Sequence, residues 1–363
     1  MSHRGGAARR AVLLAAGAAI ALAAPGARAA KGDDDVCAAL SATPACAPPK
    51  GATGALDRPR IGPTPPPPPS LSWGGAAGDQ RSLWRSPRAA AAVAGTVQGL
   101  ERALSAMPVA AAERPARIRE LADAYVELEA ACARDQADAE RRAIEADQGH
   151  QAAVAAAARK AAITAGHKRA TARQAAINRY EQLLREYPRH CREAPATGCA
   201  DEVTLYLAFE HERAADADAA RRSYLELLAS WPQSSFTKDV WAAMGDLAYE
   251  AALTAPAKWA TVAQMYEEVV RTPGGARYEP YAHYRLGFVA WHRGQAEQAL
   301  TELEAAIGVA RRPGAPPGSA EVADAARAVV GAVYGLVGTP AGAFARLHPS
   351  RPTGPTGSPS LTG

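Results

Sequence analysis

The side chains able to do chemistry in this 363-residue chain are few. It has eight histidines and five cysteines, without H-E-x-x-H, G-x-S-x-G, a Walker glycine loop or C-x-x-C. Glu210-His211-Glu212 sets acids beside a histidine, as a general acid/base pair requires. Adjacent residues on a helix diverge, so these three are expected to act structurally rather than close one site. His283 falls among residues expected to face a partner helix, as a satisfied core histidine. No catalytic residue, metal site or cofactor is expected, and the chain reads as non-enzymatic. Cys37 with Cys46, and Cys191 with Cys199, are close pairs in loop-like sequence, where an oxidising compartment favours local disulfides. The alternative for these cysteines is a metal site with His190 as the single neighbouring candidate ligand. Cys132 is left over.

The recognition chemistry is richer. Tyr281, Tyr284, Phe288 and Trp291 follow at spacings of 3, 4 and 3, placing four rings on one helical face. His283, Leu286, Gly287 and Ala290 account for the packed face. The rings then either form an exposed patch that takes a protein or peptide partner, or are covered by another segment of the chain.

Such a stripe needs helices to position it, and the composition supplies them. The apolar fraction is 48%, carried largely by alanine, which does not give the β-branched alternation of a large sheet. The fold class is therefore all-α. Arg4, Arg9 and Arg10 precede an apolar run from Ala11 to Ala24, followed by Ala27-Arg28-Ala29, the order of an export signal over residues 1–29. The run is too short for a permanent membrane anchor, and Cys37 lies too far past the cut for a lipid anchor. A soluble, exported, periplasmic protein is expected, with no stable membrane insertion. Removing residues 1–29 takes away four arginines and leaves 37 basic against 37 acidic side chains. That balance gives no basic excess for nucleic acid. Residues 30–88, with the run Pro65 to Pro69, read as a disordered linker, and 349–363 as a disordered tail. Residues 89–114 read as a short helical lead-in.

Between linker and tail the chain repeats. Gly287, Gly294, Ala299 and Ala306 are spaced 7-5-7, as are Ala208, Ala215, Ala220 and Leu227. Gly331, Gly338 and Ala343 reproduce the first two steps. Small residues inside each helix let two antiparallel helices approach closely, and one near the turn takes the left-handed cap conformation. Leu207, Tyr224, Leu286 and Leu303 fill the space around them, and Pro188 or Pro232 stops the second helix.

With these residues the chain resembles the tetratricopeptide repeat family, over about Pro115 to His348. Tyr281 to Arg311 and Asp201 to Pro232 match its consensus best. A third unit opens with Trp241-Ala-Ala-Met-Gly245 and closes with Tyr266 and Val269, after extra residues around Thr254 to Lys258. A fifth, Asp324 to His348, reads as an end cap. In the first, Leu121-Ala122 and Tyr125 open the unit, while Ala176, Tyr180, Leu183 and Pro188 match Ala220, Tyr224, Leu227 and Pro232. The intervening residues, about 123–175, are expected to form a long helical arm turning at Gly149 or Gly166, and to be solvated or partner-bound rather than self-packed. The resemblance implies a solenoid of about five hairpins whose first helices line a concave groove. Phe209, Asp246 and Phe288 are expected to face it, with Glu212 and Tyr249 nearby and Trp291 and Phe288 as binding hot spots.

A narrower likeness, carried by the architecture and by Arg189-His190-Cys191 and Gly198-Cys199-Ala200-Asp201-Glu202, is to periplasmic repeat proteins of bacterial envelope and gliding-motility machines. It implies a non-enzymatic scaffold that binds a protein or peptide of the cell envelope in its groove. Two alternatives stay open. One is a cell-wall-acting fragment like the superhelical part of lytic transglycosylases; the other is a subunit that self-associates through a coiled-coil arm.

Overall fold

The computed structural model describes Asp79, Arg81 and residues 86–188, 200–272 and 276–337. Among these residues every regular element is a helix. They are α1 (Ala90–Ala106), α2 (Arg114–Gln148), α3 (Ala152–Glu186), α4 (Ala200–Arg213), α5 (Ala217–Ser230), α6 (Thr237–Thr254), α7 (Trp259–Arg271), α8 (Glu279–His292), α9 (Ala296–Ala310) and α10 (Ser319–Val337). Short 3-10 turns at Pro256–Lys258 and Ala276–Tyr278 precede α7 and α8. Each helix packs on the next in sequence, and α10 also reaches α8. The chain is thus a row of helical hairpins, α2/α3, α4/α5, α6/α7 and α8/α9, with α1 laid on α2 and α10 closing the far end.

Small residues set the approach within each hairpin. A Cβ added at Gly287 would stand 2.7 Å from Leu303 Cγ and 2.9 Å from Cδ2. One added at Gly245 would stand 2.7 Å from Tyr266 Cε1 and 2.8 Å from Cζ. Each glycine on a first helix is therefore a socket for one large side chain on the second. Alanine fills that role in the other two hairpins: Ala122 and Ala208 are fully buried, as are Tyr180 and Tyr224 four residues after Ala176 and Ala220. The small-large pairing inferred from the sequence is the packing rule of the molecule. Gly331, by contrast, is exposed and its added Cβ would meet nothing within 4 Å. Gly338 and Ala343 lie outside the described residues.

The turns repeat as closely as the sockets. Gly294 has φ of 72° and Ala215 has φ of 59°. In both turns the next residue's N–H reaches back five positions, from Asp216 to His211 O and from Gln295 to Ala290 O, each at 2.9 Å. Ala219 N–H donates to Asp216 Oδ1 at 2.9 Å, capping α5. The arm turns the same way. Gly149 is the C-cap with φ of −82°, His150 takes the left-handed conformation at 56°, and Gln151 N–H bonds Ala146 O at 2.8 Å. Gly166 lies inside α3 rather than at a turn. Ala143, His150, Ala155 and Ala162 therefore carry a further copy of the 7-5-7 spacing, with the three alanines buried.

The arm corrects one expectation. Its two 35-residue helices pack on each other, making the most extensive helix-helix contact of the fold. Ala131, Cys132, Ala139, Ala143 and Ala146 of α2, and Ala155, Ala158, Ala162, Ala165 and Ala172 of α3, are buried. Alanine side chains are short enough for the backbones to come together without large apolar residues. The same scarcity that argued for a solvated arm is what permits a self-packed one.

The lead-in helix α1 buries Val93, Val97, Leu100 and Leu104. Arg114, at the start of α2, donates from Nη1 to Leu104 O at 3.0 Å and Met107 O at 2.8 Å, closing the C-terminus of α1. The export signal expected over residues 1–29, Cys37, Cys46, Cys191, Cys199, His190 and the tail 349–363 lie outside the described residues. Cys132 is a free, buried thiol whose pKa is pushed up chiefly by burial. No helix among the described residues is long and apolar enough to cross a membrane.

Candidate functional site

The aromatic stripe is not an exposed patch. Tyr281 and Tyr284 are 0% exposed and Phe288 is 1% exposed; Phe209 and Tyr249 are likewise buried, and only Trp291 is half-exposed. The reason is the stacking. Helix α8 packs on α9, on α7 and on α10, so residues from Pro280 to Ala290 are buried nearly all round. The rings fill contacts with neighbours: Tyr284 meets Phe288 edge-on at 5.0 Å, and Tyr281 meets Tyr266 at 6.3 Å. Phe288 is therefore a core residue and not a hot spot on the surface.

The polar members of the expected groove are tied down in the same way. Tyr266 and Tyr281 both donate to Asp246 Oδ1, at 2.5 and 2.6 Å, and Arg285 Nε donates to Tyr281 Oη at 2.7 Å. The Arg285 guanidinium also lies 4.7 Å from the centroid of the Tyr249 ring. Glu212 accepts the Tyr224 hydroxyl, and Asp123 accepts that of Tyr180 at 2.6 Å. A recurring device results: the tyrosine that fills the socket reaches over it to a carboxylate on the first helix. Asp246 and Asp123 each directly follow the socket residue, where the sequence placed a groove-facing side chain. His283 faces its hairpin partner as expected, Nδ1 lying 2.8 Å from Glu302 Oε2.

An open, charged cleft lies elsewhere, over the first two hairpins. Its cavity of about 550 Å³ is bounded by α2, α4, Arg169 of α3 and the segment before α1. Arg119, Asp123, Val126, Glu127, Ala130 and Arg134 line it from one face of α2, at helical spacing, while Glu202, Tyr206 and Arg213 line it from α4. The third wall is the end of the stretch read as a disordered linker. Arg88 makes a two-pronged contact with Glu127, 2.6 Å to each carboxylate oxygen, and Arg134 Nη2 donates to Arg88 O at 2.9 Å. Asp79 and Arg81, with side chains only 3% and 11% exposed, are sunk into the body. These contacts fall within the stretch read as a linker, where charge pairing anchors residues that no hydrophobic period marks.

Arg81 sits at the head of the cleft. Nη2 donates to Glu210 Oε1 at 2.6 Å and Nη1 to Tyr180 Oη at 2.9 Å, with the guanidinium 4.2 Å from the Tyr206 ring centroid. Asp79 accepts from Nε and Nη2 of Arg81 and pairs with Arg213. Arg213 Nη1 also donates to Glu210 Oε1 at 2.7 Å. Burial alone would raise Asp79, but Arg81 and Arg213 hold its pKa down at about 2. Burial pushes the fully enclosed Glu210 carboxyl up, against the pull of Arg81 and Arg213. Glu210, His211 and Glu212 do diverge as expected: Glu210 enters the cleft head, Glu212 takes a tyrosine of its own hairpin, and burial lowers the His211 pKa. The role of Glu210 was not legible from that triplet, since its partner lies 129 residues earlier.

Carboxylates and guanidiniums both line the cleft, and the planar Arg81 guanidinium fills its head. Compared with protein-family models and with curated proteins, the chain matches none.

Proposed function

We propose that the protein is a tetratricopeptide-type scaffold of the cell envelope, exported to the periplasm, that binds a protein or peptide partner along the first helices of its hairpins. The observation that carries this reading is the cleft between α2 and α4. Side-chain ion pairs to Arg81 and Arg88, residues that precede α1, already fill part of it. Sockets at Gly245 and Gly287 support the repeat architecture, since close-nested hairpins are what stack into such a surface. In this reading the binding face is the α2 and α4 side, the rings of α8 being buried.

Photo-crosslinking in the native cells tests this. A photoreactive residue replacing Ala133, which lines the cleft, is expected to give a discrete crosslinked product. The same group at exposed Ala161 on the arm is expected to give none of it. The same products from both positions, or none from Ala133, would remove the reading.

A further inference from the structure

Resting on the scaffold reading, we infer that the head of the cleft is an arginine-reading socket, filled here by the chain's own Arg81. A partner then engages it by presenting a turn with an arginine two residues after an aspartate, as Arg81 does, its N–H donating to Asp79 Oδ1 at 3.0 Å.

The walls are built without Arg81. Glu210, Tyr206 and Arg213 come from α4 and Tyr180 from α3. Each is oriented by a group other than Arg81. Tyr180 donates its hydroxyl to Asp123 at 2.6 Å, leaving its oxygen to accept from the guest. Tyr206 Oη is fixed by Glu202 at 2.9 Å, holding the ring as a flat wall. Arg213 anchors one oxygen of Glu210. The Glu210 side chain is 0% exposed. Without Arg81, Arg213 alone would face that carboxylate, and a planar guanidinium entering beside it meets three groups at once: carboxylate, hydroxyl and aromatic face. Asp79 completes the fit from the guest side, by clamping Arg81 and meeting Arg213. The recognised unit is therefore Asp-x-Arg, both charges being used.

The guest is joined to the socket through a long stretch of chain rather than by neighbouring backbone, Arg81 and Glu210 standing 129 positions apart. Such an intrachain guest acts as a tethered ligand at an effective concentration on the order of millimolar. A peptide added from outside meets a filled site in the wild type and, when Arg81 is removed, one that has lost its guanidinium and keeps only the Asp79–Arg213 pair to displace.

The probe is a fluorescein-labelled peptide of residues 74–88, titrated into the full chain by fluorescence anisotropy. Expected is binding to the Arg81→Ala chain at least about tenfold tighter than to wild type. That binding should be lost when the peptide carries alanine for its arginine at 81, and lost again when Glu210→Gln is added to the chain. Arg81→Lys, which keeps the charge without the fork, gives an intermediate gain and serves as the second variant should Arg81→Ala melt the fold by circular dichroism. Equal affinity for wild type and the variants, or no binding to a folded variant, would overturn the inference. Failure here with the Ala133 crosslink intact would discard the arginine socket alone. Loss of that crosslink would discard the scaffold reading itself.

Discussion

Replacing Gly287 with alanine adds one methyl group where the structure has no space for it. The new Cβ would lie 2.7 Å from Leu303 Cγ, 2.9 Å from Leu303 Cδ2 and 3.3 Å from Ala299 O. Leu303 is fully buried and the third atom is backbone, so neither side yields freely. Overpacking of this kind costs about 1–3 kcal/mol, against about 1 kcal/mol gained from the better helix propensity of alanine. A net loss of up to about 2 kcal/mol is expected. Gly308→Ala is the internal control, because that glycine sits in α9 with nothing within 4 Å of an added Cβ. It should gain about 0.5–1 kcal/mol. Urea denaturation followed by circular dichroism reads both. Combined with Leu303→Ala, the Gly287→Ala loss should shrink by at least about 1 kcal/mol, since the methyl group then enters the space that leucine vacates. If Gly287→Ala stabilised the chain as much as Gly308→Ala does, the nesting argument would be refuted.

Ala215 holds a left-handed conformation that its structural counterpart Gly294 adopts without penalty. Ala215→Gly should raise stability by about 0.5–1 kcal/mol, the relieved strain exceeding the added unfolded-state entropy; thermal melting checks the sign. Acid should loosen the cleft through Asp79. Its folded pKa is about 2 against an ordinary 3.8, so its stabilisation is complete above the ordinary value and is lost as pH falls through about 2. That difference corresponds to about 2 kcal/mol. Urea midpoints at pH 5 and pH 2.5 should differ more for the wild type than for Asp79→Asn, and equal differences would contradict the assignment.

The hairpins were legible because their sockets are set by residue size at a fixed spacing, which survives in the sequence as Gly287, Gly294, Ala299 and Ala306. The same spacing runs through the arm tip, but His150 stands where the other turns have Gly294 or Ala215, and histidine does not advertise a left-handed turn. Gly149 still marked the end of the arm, where it caps α2; what His150 hid was the repeat spacing around it. The aromatic stripe does lie along one helix, and of the two readings left open for it the structure shows cover by neighbouring helices for Tyr281, Tyr284 and Phe288. Periodicity along Tyr281, Tyr284 and Phe288 reports direction around α8, whereas burial depends on α7 and α10 arriving from distant parts of the chain. The cleft was least legible of all. Asp79 and Arg81 lie in sequence rich in glycine and proline, and no local rule pairs them with Glu210 and Arg213. Only the folded arrangement brings two acids and two guanidiniums, all largely buried, to one place.

Limited trypsin digestion of the full chain, with the cut after Arg81 followed by mass spectrometry, tests most directly whether the cleft holds this segment. Glu210→Gln removes the charge that anchors the guanidinium, an interaction worth about 1.5–3 kcal/mol. The bond after Arg81 should then be cut at least about tenfold faster than in the wild type. Equal rates in the two proteins would contradict the account.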